Sequence, residues 1–122
     1  MMKKKTLAEN YLERRPSKRE DIRWKYEENS LITLEIDNKG IANKLAQLIL
    51  KKPKTSYVHL DEMGSFIWPL IDGEKTITEI GTYVKEHFKE KAEPLYERLA
   101  KYFAILESYD FIKWNNKNLT KY

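Results

Sequence analysis

The chain contains no cysteine, and this absence excludes several kinds of chemistry. A disulfide framework, a thiol nucleophile and metal sites built on cysteine all require it. A cytoplasmic location, our expectation for this protein, agrees with the absence. The two histidines, His59 and His87, lie far apart and match no metal-binding spacing, so we expect no metal.

Long apolar runs are also lacking, and no stretch approaches the roughly 20 residues that a membrane span needs. The basic N-terminus is not followed by the apolar segment of a signal peptide. Four glycines form neither a dinucleotide-binding motif nor a P-loop, and no serine has a recognisable base partner. We therefore predict a binding protein with no cofactor, rather than an enzyme, and no membrane partner.

The composition supports a small folded domain. Of the 122 residues, 41% are hydrophobic and 34% are charged, which provides a core and a well-solvated surface. The net charge of +4 leaves a nucleic-acid partner open. The basic residues of the chain occur in scattered clusters, however, which is more typical of solvated surface than of a stripe that binds nucleic acid. We divide the chain into an N-terminal arm (residues 1–20), one domain (21–114) and a C-terminal tail (115–122).

Alternating residues predict three strands. Residues 23–36 read as a hairpin, with Asn29 and Ser30 in its turn. A third strand at residues 55–60 combines alternation with β-favouring side chains, and it places His59 on the less apolar face. An amphipathic pattern at residues 41–50 predicts a helix inserted between the second and third strands.

Helices dominate the second half of the chain. Asp61 is placed to cap a helix in which Pro69 produces a bend or a tighter final turn. Thr76 and Glu79 have the spacing of a capping box that opens the next helix. The last helix runs from Pro94 to about Tyr109, and a short apolar segment follows it. Strands followed by helices indicate an α+β domain, with helices on one face of an antiparallel sheet.

Two apolar stripes run along the last helix. The first is the expected core stripe of Leu95, Leu99, Tyr102 and Leu106, and the second consists of Tyr96, Ala100 and Phe103. The second stripe is either covered by another part of the chain or forms one wall of a groove. The third strand would be the other wall, because an edge strand can pair with an extended peptide.

The run from Val58 to Trp114 resembles the PqqD-like family, named for pyrroloquinoline quinone (PQQ) biosynthesis. The resemblance is carried by a strand ending in Leu60, an acidic helix start, and the string I-W-x-L-x-D-G-x-x-T-I-x-E-I from Ile67 to Ile80. Members of this family serve as recognition elements, or peptide chaperones, for ribosomally synthesised and modified peptides.

The resemblance implies a winged-helix-like arrangement of three strands on three helices. It also implies that the leader of a precursor peptide adds as a strand beside the third strand and is presented to a modifying enzyme, often of the radical SAM type. Carried over by position, the peptide-binding residues are Ser56, Tyr57, Val58, His59 and Leu60 on the strand and Tyr96, Ala100 and Phe103 on the helix. The helix predicted at residues 41–50 and the long arm depart from the family pattern.

Two alternatives remain at this point. One is a winged-helix nucleic-acid binder with residues 94–109 as its recognition helix. It is disfavoured because the acids on and beside this helix, Glu93, Glu97, Glu107 and Asp110, outnumber the bases Arg98 and Lys101. The other is an interaction domain that forms a homodimer through the same strand edge.

Overall fold

The computed structural model describes residues 11–37 and 55–115. In chain order they contain strands β1 (Arg15–Lys18), β2 (Arg23–Tyr26), β3 (Ile32–Asp37) and β4 (Thr55–His59), helices α1 (Glu62–Ile67), α2 (Ile77–Phe88) and α3 (Leu95–Ser108), and strand β5 (Ile112–Asn115). The described residues fall into two compact units, one of residues 20–37 and 55–65 and one of residues 11–19 and 66–115.

The α+β class, with a three-stranded antiparallel sheet and three helices, is confirmed for the described residues. The winged-helix likeness stays a prediction, as does the single domain at residues 21–114. The helix predicted at residues 41–50 lies outside the described residues.

The three-stranded sheet has the order β2-β3-β4, and both pairs of strands are antiparallel. Its hairpin turns at Asn29 and Ser30, as predicted. The Oδ1 atom of Asn29 accepts a hydrogen bond from the N–H of Leu31 at 3.0 Å, and Ser30 has a φ of 70°. Asparagine favours such turns because its side chain can bond to the backbone two residues on.

Directly opposed residues of β3 and β4 share a face of the sheet. The register places four such pairs on the two faces: Leu34–Val58 and Ile36–Ser56 on one, and Thr33–His59 and Glu35–Tyr57 on the other. Ile32, Leu34 and Ile36 are buried, so the first face is the apolar face. The predicted alternation, with His59 on the less apolar face, is therefore present.

Helix α1 begins where the sequence predicts. The Oδ1 atom of Asp61 accepts a hydrogen bond from the N–H of Gly64 at 2.7 Å, which satisfies one free donor of the first turn. The helix then tightens into a 3₁₀ turn at Trp68–Leu70, which contains Pro69. This is the tighter final turn predicted for that proline.

The turn after α1 is held by Asp72. Its Oδ1 atom accepts hydrogen bonds from the N–H groups of Glu74 and Lys75, each at 2.9 Å, and its Oδ2 lies 2.7 Å from Lys75 Nζ. Burial acts to raise the pKa of the Asp72 carboxyl, but these hydrogen bonds outweigh it and lower the pKa to about 2. Gly73 follows with a φ of 82°, a conformation that favours glycine.

Helix α2 starts with the predicted capping box. The Thr76 side chain accepts the N–H of Glu79 at 3.1 Å, while the Glu79 carboxylate accepts the N–H of Thr76 at 2.7 Å. Ile77, Ile80 and Val84 are fully buried on one face of the helix. The helix therefore joins the core through the stripe that its periodicity predicts.

Helix α3 requires one correction to the predicted stripes. Its buried residues are Leu95, Leu99, Phe103 and Leu106. Phe103 thus belongs to the core stripe in place of Tyr102, which is half-buried. Counted at about 100° per residue, both rings border the stripe of Leu95, Leu99 and Leu106, with Phe103 on one side and Tyr102 on the other, so position on the helix allows either ring to be buried. Phenylalanine has no hydroxyl group that needs a partner when it is buried.

Strands β1 and β5 form a two-stranded antiparallel sheet, in which Arg15 lies opposite Asn115 and Lys18 opposite Ile112. The sequence predicts a loosely attached arm in which Pro16 ends a short helix. Residues 11–12 are helical before β1, but the strand itself is not predicted. Pro16 is fully buried here. Its carbonyl accepts the N–H of Gly73 at 2.8 Å, so β1 is fastened to the turn after α1. A proline in a strand is compatible with this short two-stranded sheet, in which each strand is an edge.

Candidate peptide-binding edge

Strand β4 lies at the edge of the three-stranded sheet. It pairs with β3 along Thr55–His59, and the described residues provide no strand on its other side. Edge strands present backbone N–H and C=O groups in a row, which makes them templates for another chain. Among the residues that the structure describes, β4 is therefore an edge strand of the three-stranded sheet, and its availability to a peptide stays a prediction.

The hydrogen bonds of the ladder decide which backbone groups of β4 point outward. The N–H of Leu60 donates to the carbonyl of Ile32 at 2.8 Å, so these two residues form a hydrogen-bonded pair. In an antiparallel ladder such pairs alternate with pairs that exchange no hydrogen bonds. By this alternation Val58 bonds to β3, whereas Tyr57 and His59 direct their backbone groups to the open edge.

The β2–β3 hairpin gives an independent check of this alternation. The N–H of Glu27 donates to the carbonyl of Leu31 at 2.7 Å. Stepping along that ladder by two residues, the backbones of Thr33 and Glu35 bond to β2. The backbone groups of Ile32 and Leu34 therefore point toward β4. The same assignment follows from the hydrogen bond between Leu60 and Ile32.

The outward face of the edge carries polar and aromatic side chains. His59 and Tyr57 are exposed, and the Nδ1 atom of His59 lies 2.9 Å from Thr33 Oγ1 in a hydrogen bond. In an antiparallel ladder, opposed residues that exchange no backbone hydrogen bonds have side chains closer together than those of hydrogen-bonded pairs. This closeness allows the contact between Thr33 and His59. Thr33 therefore positions the imidazole, a role that the sequence reasoning missed because it read Thr33 only as a spacer between apolar residues.

The opposite face of β4 is apolar and partly covered. Val58 and Leu60 are half-buried, while Leu34, which faces Val58 across the ladder, is fully buried. Burial therefore falls from the central strand to the open edge. An apolar side chain placed beyond Val58 would continue the buried layer.

Ser65 anchors the end of this edge. Its Oγ atom accepts the N–H of Ile32 at 2.8 Å and lies 3.4 Å from the carbonyl of Leu60. Ser65 is 6% exposed, so a buried hydroxyl bridges the last pair of the β3–β4 ladder. The sequence shows only a small residue at this position, and no local pattern reveals its distant partner.

The three helix residues of the predicted site differ in exposure. Tyr96 is 53% exposed, Ala100 is half-buried and Phe103 is 0% exposed. A contact between Phe103 and a peptide, which the sequence predicts, would require the ring to leave this buried position. The strand residues belong to one compact unit and the helix residues to the other, so one groove formed by both stays a prediction.

Tyr96 also lines a cavity of about 600 Å³ on α2 and the start of α3. The other lining residues combine apolar groups with both signs of charge: Gly81, Thr82, Lys85, Glu86, Lys89, Glu90, Glu93 and Leu95. This concave surface was not predicted from the sequence, because it depends on how the two helices pack.

Within residues 11–37 and 55–115, no group of three or more histidine, aspartate or glutamate side chains is placed to hold a metal ion. In the same part of the chain, no helix has the length and apolar character needed to cross a membrane.

Comparison with known proteins gives one match. The family model described as coenzyme PQQ synthesis protein D (PqqD) matches residues 43–112, which is more than half of the chain. The matched region includes β4 and all three helices, whereas β1, β2 and β3 lie before it. No curated protein and no solved structure matches. On the family match, the chain belongs to the PqqD family.

Proposed function

We propose that this protein is a non-catalytic accessory protein that recognises the leader of a ribosomally synthesised precursor peptide and presents it to a modifying enzyme. The leader binds as an additional strand on β4. The resemblance implies a modifying enzyme that is often of the radical SAM type. The observation that carries the proposal is the position of β4 at the edge of the three-stranded sheet that the described residues form, in a chain of the PqqD family.

The edge has the features that strand addition needs. The alternation of the ladder turns the backbone groups of Tyr57 and His59 away from β3. These groups provide affinity through main-chain hydrogen bonds, and the side chains along the strand provide selectivity. Ser65 and the Asp61 cap fix the end of the strand where it passes into α1.

The charges on α3 disfavour the nucleic-acid alternative. A recognition helix contacts phosphates through lysine and arginine. Around α3, Glu93, Glu97 and Glu107 are exposed acids. The guanidinium of Arg98, one of the two bases on the helix, donates instead to the carbonyl of Lys91. A homodimer through β4 remains the competing use of the same edge.

The test uses synthetic peptides that cover the short open reading frames beside the gene, titrated into the ¹⁵N-labelled full chain. A leader peptide should shift the amide resonances of Thr55–His59 and saturate. Calorimetry on the same pairs should give one peptide per chain. Saturable binding that leaves β4 unshifted would contradict the proposal.

Two controls separate the alternatives. Titration with duplex DNA at several salt concentrations should show no tight binding with a steep salt slope. Sedimentation should show no stable dimer that excludes the peptide. Tight DNA binding with a steep salt slope would assign the protein to the nucleic-acid binders. A stable dimer that excludes the peptide would assign it to the interaction domains that dimerise through β4.

A further inference from the structure

We propose that the edge of β4 selects peptides with a two-residue alternation: an apolar side chain opposite Val58, flanked by two residues whose N–H groups bond to Tyr57 and His59. This inference rests on the proposed function and specifies the class of peptide that it takes.

The first step is the direction of the backbone groups. Leu60 bonds to Ile32, and by alternation Val58 bonds to Leu34. The N–H and C=O groups of Tyr57 and His59 are consequently those that a guest strand meets. A guest that continues the antiparallel order of β2, β3 and β4 therefore forms its hydrogen-bonded pairs with these two residues, and its residue opposite Val58 belongs to a pair that exchanges no hydrogen bonds.

The second step is the placement of the guest side chains. Opposed residues share a face, so the guest residue opposite Val58 lies on the apolar face of the sheet. Pairs without hydrogen bonds bring side chains closest together. Val58 is half-buried beside the fully buried Leu34, and an apolar guest side chain would cover the part of Val58 that is still exposed.

The third step concerns the two flanking guest residues. They lie on the outward face beside Tyr57 and His59, both exposed. Thr33 forms a hydrogen bond with Nδ1 of the His59 ring, so the guest side chain opposite His59 meets an imidazole of fixed orientation. The outward face therefore accepts polar or aromatic side chains, while the apolar face excludes charged ones.

These requirements also fix the register. A slip by one residue would turn the apolar guest side chain to the outward face and place a flanking residue against Val58. A proline at either flanking position would remove a required N–H group. A suitable peptide therefore alternates over at least three residues and has no proline at the two flanking positions.

The experiment selects binders for the full chain from a displayed library of random linear peptides, and then scans the best binder by N-methylation of one amide at a time. Methylation of the two amides that face β4 should weaken binding about fivefold each, the effect of losing one hydrogen bond of about 1 kcal/mol. Methylation of the intervening amide should change the affinity less than about twofold by the same reasoning.

Two matched variants test the side-chain preference. Val58→Lys should change the preferred opposite residue from apolar to acidic, whereas Tyr57→Lys should keep the apolar residue opposite Val58. The N-methyl scan uses the unchanged protein, so it remains decisive if a variant fails to fold.

The outcomes separate this inference from the proposed function. If selected peptides shift no β4 amide, both strand addition and the alternation rule are wrong. If they shift β4 amides but N-methyl sensitivity does not alternate, or Val58→Lys keeps the apolar preference, strand addition stands and the alternation rule is wrong.

Discussion

The hydroxyl of Ser65 accepts a hydrogen bond from the backbone N–H of Ile32 at 2.8 Å, across 33 positions of sequence. This bond connects α1 to the first residue of β3. Both groups are buried, so neither has water as a substitute partner. The hydroxyl therefore sets where the β3–β4 ladder ends.

Ser65→Ala should lower the free energy of unfolding by about 1–3 kcal/mol, because a buried N–H group loses its acceptor. Urea denaturation of the full chain measures this. Ser108→Ala is the matched control, since Ser108 is exposed and its hydroxyl donates within its own helix, to the carbonyl of Ile105. Equal stability losses for the two variants would contradict the role assigned to Ser65.

Amide hydrogen exchange should alternate along β4 in the free protein. The N–H of Val58 bonds to β3 and should exchange slowly, whereas those of Tyr57 and His59 face the open edge and should exchange faster. Residue-resolved NMR exchange measures the three rates. Uniform protection across them would mean that the outer edge of β4 is already occupied.

Phe103→Ala should destabilise the protein by about 3–5 kcal/mol, the usual cost of removing a buried phenylalanine ring. Tyr96→Ala should change stability by no more than about 0.5 kcal/mol, because Tyr96 is largely exposed. Thermal and urea unfolding measure both effects. Tyr96 is therefore the better residue for testing whether α3 contacts a peptide, since loss of binding in that variant would not reflect unfolding.

The Asp72 carboxyl should make stability depend on acidity. Its pKa in the folded protein is about 2, below the ordinary 3.8, so its contribution is present above pH 3.8 and is lost as the pH falls toward 2. Asp72→Asn should cost on the order of 1 kcal/mol at neutral pH, since its partial exposure screens the interaction. The difference from the unchanged protein should shrink between pH 4 and pH 2.

Lys75→Met tests the cause of this dependence. It removes the side-chain donor to Asp72 but leaves the backbone donors of Glu74 and Lys75. Acid unfolding should therefore show an intermediate pH dependence. A full dependence in Lys75→Met would mean that the backbone hydrogen bonds alone hold the carboxylate.

Local patterns in the sequence predicted much of this fold. The capping box at Thr76 and Glu79, the Asp61 cap and the hairpin turn all depend on residues within three positions of each other. Such interactions are determined by neighbouring residues, so one sequence suffices to find them. The alternation of apolar residues in β3 predicted which of its side chains share a face of the sheet.

Features that depend on distant partners were not predictable in this way. The pairing of β1 with β5 joins residues almost 100 positions apart, and Pro16 locally suggests the end of a helix. The burial of Phe103 instead of Tyr102 depends on which neighbours α3 meets. The hydrogen bonds of Ser65 and Thr33 likewise link positions that no local spacing connects.

The pairing of β1 with β5 also determines which truncations and circular permutations of this chain retain both strands. Arg15 and Asn115 are opposed in the two strands, yet the family match begins after β1 and stops at Ile112. A fragment trimmed to the matched residues would lose β1 entirely and leave the turn at Gly73 without the Pro16 carbonyl. A circular permutant would instead retain both strands if a short loop joined β5 to β1 and the new chain ends lay at the exposed Asn29–Ser30 turn.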